Sequence, residues 1–177
     1  MTAPKLFLTG LPGSGKSTVM LKCVEGLRGL GFEVGGITTP EIRIGGTRAG
    51  FSVVDLASGR MASMAGVNTI SRFRVGRYGV DLEAFESVAL PAICNAERSG
   101  DVVCVDEIGH MELFSDAFRK KAELLIRGPK PMIAVLHRNY VGEYGGWGRL
   151  FIVAPDTREH LPDEVVSILV DYLRKDI

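Results

Sequence analysis

The sequence predicts an α/β protein with a mainly parallel sheet and a β-hairpin inserted after the first helix. Three observations predict it. Short apolar runs alternate with stretches of helical periodicity along most of the chain, the pattern of strands joined by crossover helices. The first run ends in a glycine-rich turn that opens straight into a helical pattern. One segment, residues 33–56, breaks the alternation with two β-like runs about Gly45 and Gly46.

Residues 5–9 are the first apolar run. From Lys16 onward Met20, Cys23, Val24 and Leu27 recur at i, i+3, i+4 and i+7, one face of a helix, and Gly29 and Gly31 end it. Residues 34–39 and 48–56 read as the strands of the hairpin, extended by a short strand near 61–64. This insertion carries Glu41, Arg43 and Arg48. Residues 66–80 read as loop, with Arg72, Arg74, Arg77 and Tyr78. A helical stretch over 81–98 is expected to kink or break near Pro91, which removes a backbone donor and crowds the preceding turn. Asp101 precedes a second buried strand at 102–105, which ends in Asp106 and Glu107. Residues 115–127 read as a helix and 131–136 as a third strand, ending at His137 and Arg138. A fourth strand covers 150–154. The last helix starts near Pro162, a residue suited to the first helical position, and Val165, Ile168, Leu169, Tyr172 and Leu173 give it one apolar face.

The length, 177 residues, fits a single domain able to bury a full core without staples. Lys+Arg and Asp+Glu both number 21, so the formal net charge is zero. No nucleic-acid partner is expected from bulk electrostatics, although a local basic patch stays open. Cys23, Cys94 and Cys104 are far apart and odd in number, without zinc spacing; each lies in an apolar segment and reads as a buried reduced thiol. That usage fits a cytoplasmic protein. No apolar stretch is long enough to cross a membrane, and no leader-like segment precedes the first strand.

Residues 10–17 read Gly-Leu-Pro-Gly-Ser-Gly-Lys-Ser and fit G-x-x-x-x-G-K-[ST] in full, with a strand before and a helix after. Glycines let the backbone curl so that successive N–H groups point inward at phosphate oxygens. The free N–H groups and dipole of the next helix favour negative charge. Lys16 can reach the β- and γ-phosphates, and the Ser17 hydroxyl can coordinate Mg²⁺. A glycine-rich strand-to-helix turn with no ligand is the bland alternative.

The buried run before Asp106 and Glu107 ends in two carboxylates. Beside a phosphate loop, the first such acid orders the Mg²⁺ shell, usually through water, because Mg²⁺ gives up its waters reluctantly. Asp106 takes that role. Glu107, directed elsewhere, suits a general base that orients or deprotonates the attacking water. Taken alone, the two acids read equally well as surface or capping residues.

Residues 10–18 (GLPGSGKST), 36–51 (GITTPEIRIGGTRAGF), 75–80 (VGRYGV) and 105–113 (VDEIGHMEL) together resemble the thermophile-type nucleoside-triphosphatase family, whose animal relatives are known as cancer-related nucleoside triphosphatases. The resemblance runs over nearly the whole chain, through Thr157, Arg158 and Glu159. The phosphate loop is shared by very many proteins; the Asp-Glu-Ile-Gly-His-Met-Glu run and the Thr-rich hairpin are far more particular. The resemblance implies a three-layer α/β/α P-loop NTPase fold of the additional-strand division. It also implies Mg²⁺-dependent hydrolysis of ATP, GTP and other nucleoside triphosphates with little base selectivity. By the same resemblance the nucleotide-binding segments are Gly10, Leu11, Pro12, Gly13, Ser14, Gly15, Lys16, Ser17 and Thr18, and Val102, Val103, Cys104, Val105, Asp106, Glu107, Ile108 and Gly109. Lys16 and Glu107 are the catalytic candidates, Ser17 and Asp106 the metal ligands.

Phosphoryl transfer develops charge that an arginine often neutralises. Arg43 and Arg48 lead, because a hairpin can fold over the nucleotide as a lid; Arg72, Arg74, Arg77 and Arg138 are further candidates. His137 sits at a strand C-terminus, where ligands of open α/β sheets gather. It can sense the γ-phosphate or hold the attacking water, or be a capped or buried neutral histidine. Arg158, after the last strand, is placed to flank the base. Trp147 lies in a glycine-rich loop and reads as a packing residue. Hydrolysis with water as acceptor leads the functional readings. A nucleotide or small-molecule kinase is the alternative, to be separated by acceptor-dependent turnover. A nucleotide switch comes third, and no guanine-specifying N-K-x-D motif is present.

Overall fold

The computed structural model describes residues 2–175. In chain order the elements are β1 (Lys5–Thr9), α1 (Lys16–Gly29), β2 (Val34–Thr38), β3 (Glu41–Ile44), β4 (Thr47–Asp55), β5 (Met61–Gly66), β6 (Arg74–Val75), β7 (Tyr78–Val80), α2 (Leu82–Ser99), β8 (Val102–Ile108), α3 (Asp116–Arg127), β9 (Met132–Leu136), α4 (Val141–Tyr144), β10 (Arg149–Ile152) and α5 (Leu161–Leu173). They form one sheet in the order β10-β1-β9-β8-β2-β4-β5-β7-β6, with β3 paired to β4. The half from β10 to β2 is parallel; from β4 outward every pairing is antiparallel. Strand β9 lies between β1 and β8, so an additional strand separates the glycine-rich loop from the acidic pair, as the family resemblance implied.

Strand periodicity explains the three layers. Leu6 and Leu8 of β1, Cys104 of β8, and Ile133 and Val135 of β9 face one side, where α1 and α5 cover them with Met20, Leu27, Val165 and Leu169. Phe7, Val103, Val105, Met132 and Ala134 face the other, under Phe85 and Ile93 of α2 and Phe118 and Leu125 of α3. Both faces of the parallel half are therefore buried, which is why its strands read as continuous apolar runs. At Gly35 a Cβ would stand 2.8 Å from that of Ala96, so the glycine lets α2 approach β2 closely.

Four expectations need correction. Residues 34–38 are not a hairpin arm but a central strand, β2, parallel to β8. The hairpin is β3–β4 about Gly45 and Gly46, and it continues past the end of β2: β4 pairs first with β3, then with Ile37 and Thr38. Residues 66–80 are not all loop; β6 and β7 close the sheet edge. Helix α2 runs unbroken through Pro91, which is exposed; the carbonyl left without its helical donor belongs to Ser87, itself an exposed residue, so the lost bond falls on the outer face of the helix. Cys94 is exposed on the same helix, whereas Cys23 and Cys104 are buried. Trp147 is half exposed, with the Arg127 guanidinium 4.7 Å from its ring centroid. No helix among the described residues is long and apolar enough to cross a membrane.

Candidate functional site

The parallel strands end together at one edge of the sheet. Leu8 of β1 and Asp106 of β8 both lie opposite Val135 of β9, so the glycine-rich loop, the acids and His137 leave the sheet at one level. This is the edge at which open α/β sheets bind ligands.

The loop after β1 meets the edge first. It turns through Gly13 and Gly15, both at positive φ, and delivers the chain to α1. The start of α1 differs from those of α2 and α3. Asp81 caps α2 and Ser115 caps α3, each accepting a backbone N–H, and each of those helices has an acid in its first turn. Helix α1 starts at Gly15 with no side-chain cap and no first-turn acid. Its orphan N–H groups and dipole are left for an anion. Among the described residues, the only buried side-chain polar atoms without a hydrogen-bond partner are Thr9 Oγ1 and Ser14 Oγ, both here. Thr9 ends β1 and Ser14 lies within the loop, so the unspent hydroxyls fall where the uncapped amides are, although both are closed to solvent. The Lys16 ammonium donates to the carbonyls of Gly10 (3.0 Å) and Leu11 (2.9 Å), which holds it over the loop.

Ser17, in the first turn of α1, faces the end of β8. The Ser17 hydroxyl stands beside the Asp106 carboxylate, which is 3% exposed. Burial pushes Asp106 up to about 6, while the Ser17 hydroxyl and the Lys16 charge act the other way. A hydroxyl and a carboxylate give oxygen donors only, the set for a hard cation shared with phosphates. At Glu107 the ladder slips: Asp106 pairs with Val135 and Ile108 with Leu136, leaving Glu107 as the extra residue of a bulge. The bulge aims the adjacent acids differently. The Glu107 side chain folds over Gly109, where any Cβ would strike its carboxylate. Burial, then the Asp106 charge, raises the Glu107 pKa, against the pull of Lys16.

Val102, Val103, Cys104, Val105 and Ile108 are each 0% exposed. They present no surface to a ligand and serve to seat the acids in the two cores.

His137 caps the turn after β9: its Nδ1 accepts the Asn139 N–H at 3.2 Å. The neutral ring therefore carries its proton on Nε2. Burial, and the charges of His110, Arg138 and Lys16, push its pKa down. His110 lies 4.6 Å away, centroid to centroid, fixed by Tyr140 at 3.0 Å and Asn139 at 3.1 Å. Arg43 and Arg48 are not brought to the phosphate loop. Both guanidiniums pair with Glu41, and β4 stands four strands from β1, about 19 Å at ordinary strand spacing. Arg158 is beside the loop; a Cβ on Gly15 would lie 3.8 Å from its Cδ.

Sequence reasoning missed two features. Glu112, 5% exposed, is held well above the usual carboxylate range by burial and then by the charges of Glu107 and Asp106. Its only signal was an acid inside an otherwise apolar turn. The Asn139–His110–Tyr140 set joins residues 29 and 30 positions apart, with no local signature.

The sequence model of the NTPase family matches residues 5–166. The chain is 42% identical over 170 residues to a nucleoside-triphosphatase of Methanothermobacter thermautotrophicus, covering 95% of this chain and 97% of the relative. Among solved structures it is similar to THEP1 from the hyperthermophile Aquifex aeolicus, with TM-score 0.81 and 28% identity, over 93% of this chain and 98% of that one. It is also similar to a human cancer-related nucleoside triphosphatase, with TM-score 0.77 and 34% identity, over 94% and 97%.

Proposed function

Because the chain belongs to the NTPase family, we propose that it is a Mg²⁺-dependent nucleoside triphosphatase that hydrolyses ATP, GTP and other triphosphates to diphosphate and phosphate with little base selectivity. The observation that carries this is the meeting of Ser17 and Asp106 across the sheet, with Glu107 on the bulge beside them.

The backbone of residues 10–18 cradles the phosphates at the open start of α1, and Lys16 neutralises charge on the β- and γ-phosphates. Ser17 and Asp106 would hold Mg²⁺, which when bound offsets phosphate charge and orients the tail. Glu107, raised toward neutrality by burial, accepts a proton from the attacking water. His137, neutral and protonated at Nε2, donates toward the γ-phosphate or that water. Arg43 and Arg48, engaged by Glu41, take no part while the hairpin keeps this arrangement.

Replacing Glu107 by Gln tests the reading. The variant should keep nucleotide affinity while phosphate release falls at least about tenfold, the low end for losing a general base. Unchanged turnover removes Glu107 from the role. Added nucleosides and monophosphates should not accelerate turnover; a large acceptor-dependent rise would replace hydrolysis by a kinase reaction.

A further inference from the structure

Beside the phosphate loop lies a second feature, a cavity of about 160 Å³ lined by Gly15, Thr18, Val19, Lys22, Arg158 and Glu159. It shares Gly15 and Thr18 with the end of the loop and the first turn of α1. Whatever is attached to a phosphate tail held at that helix start has this cleft next to it.

Its outer wall is built firmly. The loop after β10 is pinned to the start of the phosphate loop: Val153 N–H donates to Thr9 O at 2.7 Å. At Gly10 a Cβ would lie 2.5 Å from Val153 O, so the two segments touch backbone to backbone. Thr157 then closes a compact turn, its Oγ1 bonded to Ile152 O (2.8 Å) and accepting from Ala154 N (2.9 Å). Arg158 N–H donates to Ala154 O at 2.9 Å. The Arg158 side chain leaves this turn over Gly15. The Glu159 carboxylate lies 3.7 Å from Arg158 Nε and 3.8 Å from Lys22 Nζ, and so reaches both cations across the mouth. The Glu159 carboxylate lies on the Nε side of the guanidinium, and the Arg158 side chain is 47% exposed.

The wall chemistry narrows what fits. A guanidinium plane stacks on any aromatic ring, whatever hydrogen-bonding groups the ring carries. The six lining residues include no side-chain amide and no buried carboxylate of the kind that reads a base edge. The geometry points to Arg158 as the platform on which the nucleobase of the substrate stacks, with Glu159 beside it at the mouth. This rests on the triphosphatase reading and gives that reading its reason for low base selectivity: the base is held by its face.

Calorimetric titration with Mg·ATP and with Mg·tripolyphosphate tests this, the second ligand having the phosphates and no base. In Arg158→Ala, affinity for Mg·ATP should fall about fivefold, and affinity for Mg·tripolyphosphate should stay within about twofold, since only the base contact is lost. Arg158→Lys, which keeps the charge and loses the plane, should match Arg158→Ala. Equal losses for both ligands would assign Arg158 to the phosphates and overturn the proposal. Recovery of Mg·ATP affinity in Arg158→Lys, or no change in either variant, would also overturn it. If the unmodified protein binds Mg·ATP no more tightly than Mg·tripolyphosphate, the base platform fails while the phosphate site stands. If it binds neither, the triphosphatase reading itself fails, and this proposal with it.

Discussion

The two ends of β1 carry the same chemical arrangement and put it to opposite uses. At the N-terminal end Lys5 is 6% exposed, and its ammonium donates to the carbonyls of Leu125 (2.8 Å) and Lys130. At the C-terminal end Lys16 likewise donates to two carbonyls, those of Gly10 and Leu11, but stands at a partly open edge beside uncapped amides. Burial pulls Lys5 down to about 8, with the charge of Glu97 acting against it. Lys5 thus ties α3 and the loop after it to the sheet. Lys16 sits where the fold leaves donors unspent. Natural chains concentrate such unspent groups where they act on ligands.

The contrast is broken most directly by replacing each lysine. Lys16→Ala should lower phosphate release at least about a hundredfold, the scale for removing a preorganised donor from a transition state. The thermal midpoint should barely move. Loss of activity through unfolding, seen as a matching drop in that midpoint, would erase the distinction. Lys5→Ala should do the reverse, costing about 2 kcal/mol by leaving buried carbonyls short of a donor, with activity per folded molecule retained. Denaturant titration alongside turnover separates the two.

Lys5 also predicts a pH signature. Its folded pKa lies below its unfolded value, so between about pH 8 and 10.5 the unfolded chain holds the proton that the folded chain has released. From this group alone, stability rises with pH across that window. Denaturation curves for the unmodified protein and Lys5→Met at pH 8 and pH 10 should differ in slope accordingly; parallel pH dependence would show that Lys5 titrates normally.

A smaller effect sharpens the same comparison at the helix starts. Ser115 closes the start of α3, accepting from Phe118 N at 3.0 Å and donating to Glu86 at 2.6 Å. Ser115→Ala should cost about 1 kcal/mol, the usual loss for a cap, without changing turnover. A large loss of activity would mean that α3 communicates with the acidic pair.

Much of the parallel half was legible because its signals are local. Continuous apolar runs in β1, β8 and β9 and the glycine-rich loop after β1 need only neighbouring residues to be read. The antiparallel half was less legible because it is held by distant partners. Strands β6 and β7 have two and three residues, too short for periodicity. Their segment is anchored by Phe73 on Phe114, at 5.3 Å, and by Tyr78 on Phe51, at 5.4 Å. Pro91 misled because a proline's cost depends on which face it takes, and here both Pro91 and Ser87, whose carbonyl loses its donor, are exposed residues. In the candidate site, Lys16 and Ser17 were singled out from a motif of fixed spacing and Asp106 and Glu107 from the end of a buried strand, and the fold brings all four to one sheet edge. Glu112 and the Asn139–His110–Tyr140 set were not singled out, because their surroundings exist only once the loops after β8 and β9 lie side by side.

Steady-state phosphate release from ATP and GTP, measured with Mg²⁺ and again with a chelator, tests the central claim most directly. The account predicts release from both nucleotides with the metal and only background once it is removed. Undiminished release in chelator, or none from any triphosphate with Mg²⁺, would contradict it.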